Sequence, residues 1–262
     1  MARVDGHIHI ERGEYSLEWI GQFVDKAVER QLDEIRLLEH CYIFEEFRTM
    51  YRSVCAYSKY VDEWFQRKAG KHRLPEYLEL IEKVRNQKYP VTIKFGLEIC
   101  YFKEHEAFIE KITKNKGFDF LLGSVHFVDD FAFDHKPEHW IGIDVDAIYR
   151  TYFEDSILLA KSKLFDGIGH PDAIKLFGHR PSFSLSGYYE RLAKELSNSN
   201  MYADQNSGAA RRCPGTSSLG MERELLRAMK KNYVKIITSS DAHCPEDVGD
   251  KIRDLENCVV NA

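Results

Sequence analysis

The amino-acid sequence predicts an α/β fold, best described as one barrel of about seven parallel strands with its helices outside. Seven apolar, β-branched runs alternate with amphipathic stretches along the whole chain, which is the pattern of parallel strands joined by crossover helices. A chain of 262 residues without a composition break or repeat is a common size for a single barrel. An open doubly wound sheet would show the same alternation, so both architectures remain compatible with the pattern.

The predicted strands are short and apolar, and they lie at residues 2–10, 34–40, 91–101, 118–126, 165–172, 201–206 and 234–243. The first predicted helix follows strand one, because Leu17, Ile20 and Phe23 recur at helical spacing. A helix at 75–86 begins with proline, which is favoured in a first turn. Including these two, the helices are expected at 17–31, 75–86, 103–115, 145–161, 187–196, 222–232 and 248–256.

Two segments depart from this alternation. Residues 41–74 form an insertion rich in Tyr, Phe and Trp that we expect to be helical. Residues 129–142 form a long loop, and loops of this length inside a domain are usually functional or mobile. The prediction is therefore a single domain over residues 1–262 that carries one helical insertion.

Composition narrows the function classes. Basic residues number 37 against 42 acidic ones, the net charge is -5, and no basic run is present, which argues against a nucleic-acid partner. The apolar stretches are shorter than the roughly 18 residues of a membrane span, and the N-terminus lacks a signal-like apolar core, so we expect a cytoplasmic protein without a membrane partner. Six scattered cysteines without a C-x-x-C motif are expected to be reduced.

Titratable side chains recur where the predicted strands end. His7 and His9 are two apart and project to the same side of strand one; the other such residues are His40, Glu98, His126, His170, Asp241 and His243. Each alone is as easily a core histidine or a surface carboxylate. Because parallel barrel strands open onto one face, the set together predicts a site for zinc, manganese or iron at the C-terminal ends of the strands.

These residues lie in motifs that resemble those of the PHP (polymerase and histidinol phosphatase) superfamily. The motifs span residues 4–243 and are His7-Ile8-His9, Glu39-His40, Gly96-Leu97-Glu98, Gly123-Ser124-Val125-His126, Gly169-His170-Pro171-Asp172 and Ser240-Asp241-Ala242-His243. Within the superfamily, the run from Gly123 to Asp129 and the sequence Asn206-Ser207-Gly208 before Arg211 are most similar to stand-alone histidinol-phosphate phosphatases.

The resemblance implies a distorted (β/α)7 barrel with two or three divalent metal ions (Zn, Mn or Fe). One metal would take His7, His9, Glu98 and Asp241, and a second would share Glu98 and take His126 and His170. A third would take His40, His243 and a carboxylate after the first motif, where Glu11 and Glu14 are both available and Glu14 is the assignment. Glu39 would point to the opposite side of the strand from His40 and would support the metal ligands without binding a metal itself.

The implied chemistry is phosphomonoester hydrolysis by a hydroxide that bridges two metals and attacks phosphorus. The catalytic residues would be Glu98, Asp241 and Arg211, with Arg211 gripping phosphate. The other substrate contacts would be Asn206, Tyr42 and His135. The expected reaction converts L-histidinol phosphate to L-histidinol and phosphate in histidine biosynthesis.

Two other functions remain open from the sequence. One is a PHP phosphoesterase that acts on nucleotides, short oligonucleotides or another small phosphate, and the other is a metal-binding module without activity. The expected partner is a small phosphate ester, and the expected assembly is a monomer or small homo-oligomer.

Overall fold

Seven parallel β-strands form one sheet in which each strand pairs with the next one along the chain. In a computed structural model, which describes residues 2–215 and 217–262, the strands are β1 (Val4–His9), β2 (Glu34–Leu38), β3 (Thr92–Cys100), β4 (Phe120–Ser124), β5 (Gly167–Ile168), β6 (Tyr202–Asn206) and β7 (Ile236–Ser239). The last strand returns to the first, since the backbone N–H of His9 donates to the carbonyl of Ala242 at 2.7 Å. The predicted (β/α)7 barrel is confirmed, because a doubly wound sheet would reverse its strand order.

The helices cover the outside of the barrel. They are α1 (Leu17–Glu29), α2 (Arg52–Tyr57), α3 (Lys59–Lys68), α4 (Leu74–Arg85), α5 (Glu106–Thr113), α6 (Val145–Ser162), α7 (Ser186–Asn198), α8 (Gly208–Arg212), α9 (Arg223–Lys231) and α10 (Ile252–Val260). Short 3₁₀ helices precede α2, so the segment between β2 and α4 is helical along most of its length. Across residues 2–215 and 217–262, no helix combines the length and apolarity that crossing a membrane requires.

Local sequence explains where the helices begin. The hydroxyl of Ser16 accepts from the backbone N–H of Trp19 and caps α1 at 3.1 Å. The carboxylate of Asp144 caps α6 in the same way, through the N–H of Ala147 at 3.1 Å. The short helix α8 is absent from the predicted pattern because five residues are too few to show a helical period.

Several strands are shorter than their apolar runs. β4 ends at Ser124 and β5 comprises only Gly167 and Ile168. Consequently His126 and His170 lie in the turns beyond these strands, at the C-terminal face of the barrel. The loops, and not the strands themselves, therefore carry most of the candidate ligands.

Side chains from β2, β4, β6 and β7 pack together inside the barrel. Leu38, Phe120, Leu122, Tyr202 and Ile237 form one buried cluster that is separate from the main core. At the N-terminal ends of the barrel strands, the guanidinium of Arg36 lies 5.4 Å from the ring centre of Phe120 and 5.3 Å from that of Tyr202. This packing closes the end of the barrel opposite the candidate site.

Asp5 joins the first strand to the loop that follows the last one. Its buried carboxylate accepts from the backbone N–H of Ser240 at 2.8 Å, from the Ser240 hydroxyl at 2.6 Å and from the N–H of Gly249 at 2.8 Å. Since Asp241 follows Ser240 directly, the same contacts fix the loop that brings Asp241 toward β1.

Replacing Asp5 by Ala should lower the free energy of unfolding by about 2–4 kcal/mol, because buried donors lose their acceptor. Urea unfolding of the two proteins measures this difference. Asp25→Ala, on the exposed face of α1, is the control and should change stability by less than about 0.5 kcal/mol. Equal stabilities of the Asp5 variant and the control variant would show that Asp5 does not close the barrel.

Candidate metal centre

The carboxylate of Glu98 is the point at which the polar side chains of the strand ends meet. Glu98 lies on β3 and is 1% exposed. Its Oε1 atom lies 3.1 Å from Nε2 of His126 and 3.0 Å from Nε2 of His170. Its Oε2 atom faces the Nε2 atoms of three further histidines, at 3.4, 3.3 and 3.2 Å in the order His7, His9 and His40. Five of the predicted ligands thus surround a sixth.

The two oxygens of Glu98 divide these histidines into two groups. His126 and His170 lie on the Oε1 side. On the Oε2 side, Oδ1 of Asp241 lies 3.7 Å from the Nε2 atoms of both His7 and His9. This arrangement matches what is needed for a carboxylate shared between two neighbouring cations.

The nitrogen and oxygen atoms of these side chains are arranged to bind a cation rather than to hydrogen-bond with one another. Nε2 of His7 lies 2.9 Å from Nε2 of His9, and a hydrogen bond there would use one proton and leave the other atoms unsatisfied. Oε2 of Glu98 is buried and finds no hydrogen-bond partner within the described residues. Imidazole and carboxylate lone pairs that converge in this way are the ligands that zinc, manganese and iron accept, so the residues fit divalent metal ions.

Asp241 reaches the centre from a left-handed backbone conformation, with φ of 55°. Such a φ is uncommon for a residue with a side chain and often occurs at functional sites. Helix α8 passes so close that a Cβ at Gly208 would collide with the Asp241 carboxylate. Position 208 therefore requires glycine.

The third group of candidate ligands contains Glu11 and not Glu14. Oε2 of Glu11 lies 3.0 Å from Nδ1 of His40, and Oε1 lies 3.7 Å from Nε2 of His243. The side chain of Glu14 is exposed instead. The geometry therefore favours Glu11 over Glu14 as the carboxylate of this group, because the turn after β1 directs Glu11 toward the histidines. His9 also lies in this group, since its ligand nitrogen falls within 4.8 Å of those of His40 and His243.

Glu39 lies behind this third group. Its carboxyl is fully buried and accepts from the hydroxyl of Tyr15 at 3.1 Å. Burial, followed by the nearby charge of Glu11, raises the pKa of Glu39 well above its usual value. A carboxyl in this environment favours its neutral form, which sets Glu39 apart from the ionised carboxylates of the centre.

Two of the central residues have pKa values shifted in the direction that metal binding requires. Burial opposes ionisation of Glu98, but the neighbouring His40 and His7 outweigh burial and hold the pKa of Glu98 well below its usual range. Burial also holds the pKa of His9 well below its usual range, assisted by the charges of His40 and His243. These shifts favour the anion of Glu98 and the neutral imidazole of His9, which are the forms that bind a metal. Burial opposes protonation of His126, but the charge of Asp134 outweighs burial and raises the pKa of His126 to about 10, so metal binding there would release a proton.

The centre opens into a cavity of about 500 Å³. We call Tyr42, Tyr60, Trp64 and His135 the aromatic wall of this cavity. The ring of Trp64 lies 5.0 Å from Tyr42 and 4.6 Å from His135. Two of the predicted substrate contacts, Tyr42 and His135, thus lie on one continuous surface beside the metal ligands.

Asn206 also lines the cavity, but its amide is engaged within the protein. Its Nδ2 donates to Asp204 at 3.0 Å, and its Oδ1 accepts from the N–H of Gly208 at 2.7 Å. Asn206 therefore holds the beginning of α8 in addition to facing the cavity.

Arg211 is placed beside the centre by two backbone carbonyls. Its Nη1 donates to the carbonyl of Ser240 at 2.8 Å, and its Nη2 donates to that of Asp241 at 2.6 Å. Its Nε also lies 3.6 Å from Oδ2 of Asp247, and its Nη1 lies 3.7 Å from Oδ2 of Asp250. A guanidinium has five N–H donors, so beyond these contacts Arg211 has an Nη2 donor left for an anion in the cavity that it lines. It also holds the backbone of Asp241 in place.

Other cavity residues are not indicated by the strand-end pattern. They are Arg12, Trp64, Lys68 and Arg212. Arg12 lies in the turn after β1, and Trp64 and Lys68 lie on α3, where helical packing alone would explain their presence. In the sequence, Arg12 is next to Glu11 and Arg212 is next to Arg211, and these positions could have indicated that both arginines line the cavity.

The barrel and its ligand set define a class of protein. The chain belongs to the PHP domain family, whose family model matches residues 5–208. The resemblance indicated by the sequence motifs is thereby confirmed.

Individual proteins that are similar to this chain are named as histidinol phosphatases. "Probable histidinol-phosphatase" of Deinococcus radiodurans is 29% identical over 186 residues, which are 70% of this chain and 70% of that protein. "Probable histidinol-phosphatase" of Schizosaccharomyces pombe is 24% identical over 66% of this chain and 61% of that protein. The crystal structure of histidinol phosphate phosphatase from Lactococcus lactis, complexed with zinc, L-histidinol and phosphate, has a TM-score of 0.74 at 19% identity and covers 99% of this chain and 93% of that one.

The two candidate glutamates give a matched test of the third metal position. Glu11→Gln should lower the metal content of replete protein by about one ion per chain, because an amide oxygen is a weaker ligand than a carboxylate. Elemental analysis after dialysis measures the content, and Glu14→Gln should match the unsubstituted protein. Loss of metal in the Glu14 variant, with full metal content in the Glu11 variant, would restore the original assignment.

Proposed function

We propose that this chain is a metal-dependent phosphomonoesterase that hydrolyses L-histidinol phosphate to L-histidinol and phosphate. The observation that carries the proposal is the Glu98 carboxylate with five imidazoles around it, at a cavity in a PHP-family barrel. The relatives support the choice of substrate, since the similar Lactococcus structure holds zinc, L-histidinol and phosphate.

The proposed ligand set is His7, His9, Glu11, His40, Glu98, His126, His170, Asp241 and His243, and it would hold two or three divalent ions. Such ions, when bound, activate water near neutral pH and neutralise charge on phosphoryl oxygens. The part of the protein is to fix the geometry: Glu98 joins the two histidine groups through its two oxygens, and Asp241 completes one of them. The buried ligands His7, His9 and Glu98 lie on β1 and β3, which restricts their movement.

Cationic side chains around the cavity suit the phosphate group of the substrate. Arg211 lies against the Asp241 backbone, and Arg12, Lys68 and Arg212 also line the cavity. We propose that Arg211 donates its remaining N–H group to the phosphate, as guanidinium groups do in phosphoryl transfer. In that role it would connect phosphate binding to the position of Asp241.

The aromatic wall suits the rest of the substrate. An imidazole ring can stack on Tyr42 or Trp64, and an ammonium group is attracted to the faces of such rings. His135 stands at the end of this wall, 5.9 Å from Tyr60 between ring centres. A cavity of about 500 Å³ is within the range of small-molecule sites.

We also propose that the protein acts in the cytoplasm on small phosphate esters, as a monomer or small homo-oligomer without a nucleic-acid partner. The excess of acidic over basic residues, 42 against 37, supports the last point.

Release of inorganic phosphate from a substrate panel tests the function. Histidinol phosphate should be hydrolysed with kcat/KM at least about 100-fold above that of nucleotides and short oligonucleotides, because the wall fits one ring and the phosphate site one monoester. Chelation should abolish the activity, and Zn²⁺ or Mn²⁺ should restore it. Preference for an oligonucleotide or nucleotide would overturn the choice of substrate, and a metal-replete protein that hydrolyses nothing would favour a binding module.

Arg211→Ala should lower kcat/KM for histidinol phosphate by roughly 10- to 100-fold, because it removes a cation from the cavity and frees the Asp241 carbonyl. Steady-state kinetics with equal metal content measures the effect. Arg227→Ala, an exposed position on α9, is the matched control and should leave kcat/KM unchanged. An Arg211 variant with unchanged kcat/KM would remove this residue from the site.

A further inference from the structure

Two of the histidines that face Glu98 have their other ring nitrogen bound to a buried carboxylate. Nδ1 of His126 lies 2.7 Å from Oδ2 of Asp134, while Nε2 of the same ring lies 3.1 Å from Glu98. An ionised carboxylate only accepts hydrogen bonds, so in the neutral imidazole a proton on Nδ1 would satisfy the contact with Asp134 and leave the Nε2 lone pair for a cation beside Glu98. The lone pair of Nε2 then points toward the Glu98 side of the ring.

The second pair repeats this arrangement on the opposite side of Glu98. Nδ1 of His7 lies 3.0 Å from Oδ2 of Asp204, and both residues are buried. Oδ2 of Asp204 also accepts from Nδ2 of Asn206 at 3.0 Å and from the backbone N–H of His170 at 3.3 Å. Asp204 lies on β6, which contributes none of the proposed metal ligands.

The backbones that carry both carboxylates are fixed by hydrogen bonds. The turn before Asp134 is closed by a hydrogen bond of 3.0 Å from the N–H of Val128 to the carbonyl of Phe131, across two residues with left-handed backbones. Nη2 of Arg212 donates to the carbonyl of Asp134 at 2.6 Å. Asp204 is fixed by β6, whose neighbours on both sides pair with it in register.

We propose that Asp134 and Asp204 are positioning residues of the metal centre. Each holds the proton of one histidine on Nδ1 and so presents Nε2 as the ligand atom. Asp204 serves the position that contains His7, and Asp134 serves the position that contains His126. The inference rests on the proposed ligand set, and it adds two residues, each of which supports a different metal position.

Asp134 also connects the metal centre to the substrate surface. The next residue, His135, belongs to the aromatic wall and packs on Trp64 at 4.6 Å. Nη2 of Arg212 donates to the carbonyls of both residues, at 2.6 Å and 3.2 Å. One short segment therefore sets the orientation of His126 and the position of His135 together.

Zinc titration against a chromophoric chelator, without any substrate, tests the proposal. Asp134→Asn and Asp204→Asn should each weaken one zinc position by about 10- to 100-fold and leave the remaining binding intact, because carboxylates behind metal-bound histidines have effects of this size. Asp130→Asn, a half-buried position in the turn that precedes Asp134, is the control and should bind zinc like the unsubstituted protein. Unchanged zinc affinity in a folded Asp134 or Asp204 variant would overturn the role of that residue.

A measurement on the unsubstituted protein covers the case in which a variant does not fold. Long-range ¹H–¹⁵N spectra of the zinc-loaded protein should show His7 and His126 protonated at Nδ1 and metal-bound at Nε2. Zinc on Nδ1 of either ring would overturn the proposal. Because neither measurement uses substrate, a protein that binds zinc in this way but does not hydrolyse histidinol phosphate would refute only the proposed function.

Discussion

The contact between the Glu98 carboxylate and five imidazole nitrogens is the constraint on which the site depends. A buried carboxylate is costly unless positive charge or hydrogen-bond donors surround it. Here the charge must come from groups on separate loops, because each strand end supplies only one or two side chains. The barrel is suited to this task, since parallel strands bring many loops to one face. The position of Glu98 in the middle of that face lets both of its oxygens be used.

Precise closure of the barrel is the second requirement. His7 and His9 lie on the first strand, whereas Asp241 and His243 follow the last one, so they meet only if β7 returns to β1. Asp5 secures this return through Ser240 and Gly249. Arg211 adds two further hydrogen bonds from α8 to the same loop. The fold and the site are therefore stabilised by the same contacts.

Much of this arrangement follows from sequence pattern alone. Alternating strands and helices predict a parallel α/β fold, which a barrel fits best and an open doubly wound sheet also satisfies. The rule that parallel barrel strands end on one face predicts that His40, His126 and His170 approach Glu98. Strand lengths are less predictable, because β5 keeps only two residues in the sheet and the apolar run around it packs in loops. Pattern therefore locates the face but not the path of each loop.

The features that the sequence pattern did not predict depend on the direction of side chains in irregular backbone. Glu11 and Glu14 are equivalent by composition, and only the turn after β1 decides which one faces His40. The partnership between Asp134 and His126 needs a tight turn with two left-handed residues, Asp129 and Asp130, which no periodicity reveals. Asp204 is concealed in another way, since it lies beside Gln205 and Asn206 on β6, where nothing in the sequence identifies His7 as its partner.

The pairing of the first strand with the last has a consequence for how the protein is made. Asp5 and Ser240 are 235 residues apart in the chain, and ribosomes extend a chain at roughly 5–20 residues per second. The N-terminal histidines are thus exposed to the cell for on the order of ten seconds or more before Asp241 and His243 emerge. During that interval a nascent chain has only part of the proposed ligand set, which is complete only once β7 and the loop after it have been made.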